Sequence, residues 1–159
     1  MTEEIVVVVE IPGGSRNKYE MDDASGEIFL DRMLFTSMRY PTDYGFIEGT
    51  LGEDGDPLDA LVLLQEATFP GCRIRVRPIG VFRMTDEHGP DAKIICVPLR
   101  DPMWSNFKTL DDVPNALLAE IEQFFNVYKE LEGTKTATDG FGDQAEAIKT
   151  VREAEARAL

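Results

Sequence analysis

Through the first hundred residues no apolar run outlasts a single strand, and each run is cut by turn-forming residues. The cuts fall at Pro12-Gly13-Gly14-Ser15, Asp22-Asp23-Ala24-Ser25-Gly26, the glycine-rich Gly49–Asp56 and Thr85–Pro90. This punctuation predicts strands over Ile5–Ile11, Lys18–Met21, Glu27–Asp31, Tyr44–Glu48, Leu58–Leu64, Val81–Met84 and Lys93–Val97. Arg73-Ile74-Arg75-Val76-Arg77 alternates strictly, as a strand with one basic and one apolar face does. Short strands at such spacing fold as an antiparallel barrel or sandwich. After Pro98 the period changes. Asp111-Asp112-Val113-Pro114 reads as a helix start. Leu117, Leu118, Ile121, Phe124, Phe125, Tyr128 and Leu131 then follow helical spacing up to a stop at Gly133, and a second helix is expected over Gln144–Ala158. The fold class expected is mainly β with flanking α-helices. One domain over residues 1–159 is expected, with its β core at 4–97 and its helical part at 114–158.

Charge narrows the function. Sixteen Lys+Arg against thirty Asp+Glu give a net charge of −14, which repels a nucleic-acid backbone or an anionic membrane. No apolar stretch reaches the ~20 residues of a membrane span. Met1-Thr2-Glu3-Glu4 lacks the basic start of a secretory signal, so export is not expected. Cys72 and Cys96 form neither a metal pair nor a disulfide framework, and a reducing cytoplasm suits them. Between Arg39 and Arg73 no basic residue occurs, while Asp43, Glu48, Glu53, Asp54, Asp56, Asp59 and Glu66 do. Such runs are commonly solvated faces. Here they lie beside Tyr44, Phe46 and Leu61–Leu64, where solvation is poor and crowded carboxylates call for a cation.

Asp54-Gly55-Asp56-Pro57-Leu58-Asp59 is the sharpest local signal. Three carboxylates around a shaped turn can converge on a hard cation. The spacing does not fit an EF-hand, and an Asp-rich β-turn is the plainer alternative. A second group lies at Asp86, Glu87, Asp91 and Lys93, where period 2 puts Asp91 and Lys93 on one strand face. Lys18 and Glu20 repeat that spacing. Glu10 ends a strand that otherwise reads as core, a costly place for an unpartnered carboxylate. Arg32 and Lys129 are single cations suited to an anion. Tyr128 continues the apolar stripe, yet its hydroxyl seeks a partner. His88, the only histidine, reads as a solvated turn residue and gives no basis for a zinc site or a Ser-His-Asp triad.

These residues, in order, resemble the family I soluble inorganic pyrophosphatases of the short bacterial type. The resemblance is carried by Asp54–Val62, Glu10-Ile11-Pro12, Lys18-Tyr19-Glu20, Asp31-Arg32, Tyr40–Gly45, Met84–Glu87, Asp91-Ala92-Lys93 and Phe124–Lys129. It covers roughly residues 4–135, and the chain departs from the family's usual tryptophan-containing sequence at Thr136–Gly142. The resemblance implies a five-stranded OB-like closed barrel. It implies Mg²⁺-dependent hydrolysis of inorganic diphosphate to two phosphates by in-line attack of a metal-activated water, with several Mg²⁺ ions per site. Asp54, Asp59 and Asp91 would hold the tight ion, with Asp59 shared by a second. Asp86 and Asp91 would serve the ion that arrives with substrate, and Glu10 and Glu20 would reach ions partly through water. Lys18, Arg32, Tyr128 and Lys129 would contact phosphate oxygens, with Lys93 nearby, and Tyr44 would border nucleophile and substrate. Asp56 would accept the proton of the attacking water, a role also given to Asp91. A homohexamer, with no nucleic-acid or membrane partner, is implied.

Physical chemistry agrees. A strongly acidic protein holds a compact polyanion by placing divalent cations between the two, and Mg²⁺ suits carboxylate, water and phosphate oxygens. Two rival readings remain at this stage. A nucleic-acid-binding barrel would use Arg73, Arg75 and Arg77 as its basic stripe, and a calcium-binding structural domain would use the aspartates without turnover.

Overall fold

The computed structural model describes residues 4–159. Met1-Thr2-Glu3, part of the acidic segment read above as unsuited to export, lies outside the described residues. The elements run β1 (Ile5–Ile11), β2 (Asn17–Met21), β3 (Ile28–Met33), β4 (Asp43–Ile47), β5 (Asp59–Val62), β6 (Arg73–Asp86), β7 (Gly89–Pro98), α1 (Asn115–Val127), β8 (Ala137–Gly142) and α2 (Gln144–Arg157).

Five strands close into a ring. The order β1-β4-β5-β7-β6 returns to β1 through the pairing Ile5↔Val76 to Val8↔Arg73. All pairs are antiparallel except β5–β7. This is the barrel that the resemblance implied. β2 and β3 form a separate two-stranded sheet, and β8 pairs with β6 outside the ring.

Both faces of the wall are apolar because both are covered. Leu61, Leu63, Ile95 and Val97 face one cluster with Ile121, Phe124 and Phe125 of α1. Their neighbours Ala60, Val62, Ile94 and Cys96 face the other, with Ala147, Val151 and Ala154 of α2. Period 2 along β5 and β7 thus sorts the residues between the two helices. Asp143 caps α2: its Oδ1 accepts the Glu146 N–H at 2.9 Å, while the Glu146 side chain accepts the Asp143 N–H at 2.8 Å. That reciprocal pair satisfies two otherwise orphaned donors.

Two expectations change, and a segment with no predicted element gains one. Arg73–Arg77 and Val81–Met84 are one strand of 14 residues, not two. Pro78 lies at a bulge between Pro78 and Gly80, where the missing N–H interrupts the β7 ladder only locally. Leu131 leaves the α1 stripe and is 75 % exposed. α1 ends at Val127, and Glu130–Glu132 tightens into a 3-10 turn closed by Gly133 at φ 81°, which rotates Leu131 outward. Thr136–Gly142, where the sequence departs from the family pattern, contains β8, whose Phe141 packs against Phe82 with ring centroids 5.1 Å apart.

Candidate active site

The site grows from register. β5 and β7 run parallel with Asp59 opposite Lys93. Asp91 lies two residues before Lys93 and so shares its face, the face that α1 covers. Lys93 is consequently a buried ammonium, 1 % exposed. Its Nζ donates to Asp59 Oδ2 and Asp91 Oδ2 at 3.1 Å each and to Tyr44 Oη at 2.8 Å. It also sits over the rings of Tyr44 and Phe125, 5.0 and 4.9 Å from their centroids. An ammonium has three protons to give, and all three are used.

Burial alone would lower the Lys93 pKa, but the Asp59 and Asp91 carboxylates outweigh it and push the pKa up. Asp91 is also pushed up, because burial exceeds the help it receives from Lys93. Glu10 is raised to about 7 by burial, although its Oε2 accepts the Met21 N–H at 2.9 Å. Asp54 is raised by burial as well, against the N–H it accepts from Asp56 at 3.1 Å. Three carboxylates held above their ordinary range form a donor set short of positive charge.

The residues that the resemblance placed in the site all line one cleft at this barrel mouth except Arg32 and Lys93, and Glu87, singled out beside Asp86, lies outside its lining. Glu10, Glu20, Asp54, Asp56, Asp59, Asp86 and Asp91 supply the carboxylates, with Lys18, Tyr44, Tyr128 and Lys129 among them. Lys93 lies beneath the cleft, braced against Asp59 and Asp91. Arg32 stands opposite Lys18 in the β2–β3 ladder. Its guanidinium contacts Asp31 through Nη1 and Glu132 Oε1 through Nη2, the latter at 2.8 Å. Lys18 Nζ lies 3.9 Å from Glu20 and 3.8 Å from Asp31. Tyr128 caps the C-terminus of α1, stacked on Phe124 at 5.1 Å, so its ring belongs to the core while its residue lines the cleft. Lys129 Nζ is 3.7 Å from Glu87. His88 is an exposed turn residue, as its isolation suggested.

Glu132, Asp31 and Phe125 belong to this neighbourhood, and sequence reasoning did not single them out for it. Glu132 carried no local signal, because its partner lies on a strand a hundred residues earlier. The arginine stripe lies elsewhere: Arg73 and Arg75 pair with Glu48 and Glu4, and Arg77 donates to the Ser105 carbonyl.

Among the described residues, no three His, Cys, Asp or Glu side chains close tightly enough to hold an ion unaided. The donor chemistry nevertheless fits a hard divalent cation, which binds through one or two carboxylates plus water and phosphate oxygens. The class that this barrel and cleft define is one with crowded carboxylates beside cations and phenols, an arrangement suited to a divalent cation and a compact anion.

Comparison with known proteins makes the class particular. The model of the Pyrophosphatase family, described as inorganic pyrophosphatase, matches residues 7–158. The inorganic pyrophosphatase of Leifsonia xyli is 56 % identical over 147 residues, 92 % of this chain and 90 % of that protein. The inorganic pyrophosphatase of Streptomyces coelicolor is 60 % identical over 133 residues, 84 % of this chain and 82 % of that protein. The crystal structure of inorganic pyrophosphatase from Thermus thermophilus superimposes with a TM-score of 0.95 at 43 % identity, covering 98 % of this chain and 91 % of that one. The chain belongs to the inorganic pyrophosphatase family. It is an enzyme that hydrolyses pyrophosphate to phosphate, and its family implies a divalent metal cofactor.

Proposed function

We propose that this chain is an Mg²⁺-dependent inorganic diphosphatase in which Asp54, Asp59 and Asp91 hold the tightest ion. Asp86, with Asp91, would serve the ion that comes with substrate, and Glu10 and Glu20 would contribute further carboxylates to the ions. The observation that carries the reading is the cleft itself: carboxylates raised by burial, beside cations and phenols, in a chain of net charge −14. When bound, the divalent ions neutralise phosphate oxygens and lower the pKa of water.

The chain's own residues do the rest. Lys18, Arg32, Tyr128 and Lys129 hold phosphoryl oxygens, the guanidinium through its planar fork. Asp56 accepts the proton of the attacking water as its oxygen bonds to phosphorus and the bridging P–O bond breaks. The bridging oxygen leaves on the second phosphate. Lys93 fixes the spacing of Asp59 and Asp91 and holds Tyr44 against the substrate. Asp56 is favoured over Asp91 as base because Asp56 is exposed in the cleft, whereas Asp91 is bonded to Lys93. The chain acts as one domain, assembled as a homohexamer. No helix among the described residues is long and apolar enough to cross a membrane, and free Cys72 and Cys96 support a reducing cytoplasm.

One assay tests this. Phosphate release from pyrophosphate is expected to disappear on exhaustive chelation and to return on adding Mg²⁺. Full activity after chelation overturns the metal assignment. A salt-sensitive gel shift without turnover would instead favour a nucleic-acid module.

A further inference from the structure

Two buried hydrogen-bonding atoms belonging to one ion pair have no partner: Arg32 Nε and Glu132 Oε2. A buried polar atom left unpaired calls for an explanation, and here both lie across the same contact. Arg32 is 27 % exposed at its side chain and Glu132 only 13 %. The pair is single as it stands, Nη2 to Oε1 at 2.8 Å, while Nη1 is committed to the neighbouring Asp31. In a guanidinium, the Nε–H and one Nη2–H leave from the same edge, and that edge matches the two oxygens of a carboxylate. A guanidinium turned out of its Asp31 contact would present that edge to both Glu132 oxygens, which would pair the two orphaned atoms and free Nη1.

Glu132 also lies where such a lock matters. It is the last residue of the 3-10 turn that follows α1, and its N–H donates to the Lys129 carbonyl at 3.0 Å. Arg32 lies on the β2–β3 sheet, which shares no ladder with the ring. The Arg32–Glu132 pair thus ties the sheet carrying Lys18, Glu20 and Arg32 to the segment carrying Tyr128 and Lys129.

We infer that Glu132 is the positioning residue for Arg32: a phosphoryl group arriving at Nη1 displaces Asp31, and Glu132 locks the guanidinium edge-on. The inference rests on the phosphate role proposed above for Arg32. Glu132 touches no substrate itself.

Steady-state kinetics and binding of inorganic phosphate test it in Glu132→Gln, Arg32→Ala and the double variant. Glu132→Gln is expected to raise KM and weaken phosphate binding roughly tenfold or more, the worth of one charged hydrogen bond, with a smaller change in kcat. Added to Arg32→Ala, it should cost no more than a further factor of about two, because the two act through one contact. Glu132→Asp keeps the charge but falls one carbon short, and should give an intermediate rise in KM should Glu132→Gln fold poorly. The inference is overturned if Glu132→Gln leaves KM and phosphate affinity unchanged, or if its penalty multiplies in full with that of Arg32→Ala. An Arg32→Ala enzyme whose kcat/KM stays within a factor of about two defeats the phosphate role of Arg32 itself, a distinct failure.

Discussion

Lys93 shows how one side chain sets the chemistry of its neighbours. Its ammonium lies within 3.1 Å of two carboxylates, yet Asp91 is still raised by burial. One buried cation does not balance the carboxylates around it, and the remainder is what a divalent ion supplies. Asp56 differs, being exposed in the cleft and, among the described residues, in no ion pair. This contrast makes Asp56→Asn the most discriminating substitution, since it keeps shape and an oxygen but cannot accept a proton. The expected fall in kcat is about 10² to 10⁴, the usual contribution of a general base. Metal affinity should fall far less than in Asp59→Asn, which removes the charge of a proposed ligand. Raising the pH should restore part of the lost rate, because water then loses its proton without help. Pre-steady-state phosphate release against pH and against Mg²⁺ concentration reads all three. Near-normal turnover of Asp56→Asn at neutral pH removes the assignment, and a larger pH-rescued loss in Asp91→Asn with metal occupancy intact moves the role to Asp91.

Among the elements, β6 does the most architectural work. Its 14 residues pair with β1 at one end and with β8 at the other, and with β7 along most of its length. The bulge after Pro78 increases the local bend, as bulges do, and lets one strand serve both parts of the wall. Next to it in the ring, β1 approaches β4 so closely that only glycine fits at position 45. A Cβ there would stand 1.9 Å from the Val8 carbonyl oxygen. Gly45→Ala must therefore part β1 from β4, displacing Tyr44 next to it and with it the hydroxyl that Lys93 holds. The expected loss is roughly 1–3 kcal/mol or more, the range for overpacking a tight interior. Urea denaturation measures it, and stability equal to the parent protein refutes the close-approach argument. Gly55, at φ 91° in the aspartate loop, meets no atom but needs a backbone region that other residues rarely occupy.

For the whole molecule, the site is a cost that the fold carries until cations arrive. Glu10 has its pKa raised from 4.5 to about 7 in the folded chain. Between those values the unfolded chain releases a proton that the folded chain keeps. Stability of the metal-free protein therefore falls as pH rises from about 4.5 to 7, then levels off. The shift corresponds to at most about 3 kcal/mol. Asp54 and Asp91, raised in the same direction, add to the slope. Chemical denaturation of chelated protein across this window should show the decline, and Glu10→Gln should flatten its part. Saturating Mg²⁺ should reverse the trend, because ions that bind only the folded state stabilise it by mass action. A stability profile that rises through this window in the chelated protein, and is unchanged by Glu10→Gln, contradicts the electrostatic account.

The sequence by itself determined most of what is local or periodic. β1 was legible to the residue, because an apolar run ended by Pro-Gly-Gly has one reading. The two helices followed from spacing, although α1 ends at Val127, before the stop read at Gly133, and Asp54–Asp59 announced itself because its carboxylates are close along the chain. The same-face relation of Asp91 and Lys93 needed only period 2. Tertiary structure decided what depends on register between distant strands. Asp59 meets Lys93 only because β5 and β7 pair in parallel at that offset, and Arg32 meets Glu132 only because β3 passes the end of α1. It also joined Arg73–Arg77 to Val81–Met84 across a proline, and made a strand of Ala137–Gly142 by offering it the free edge of β6. Periodicity and turn chemistry are written into neighbouring residues. Pairing offsets and burial arise from packing the whole chain, so no window of sequence contains them.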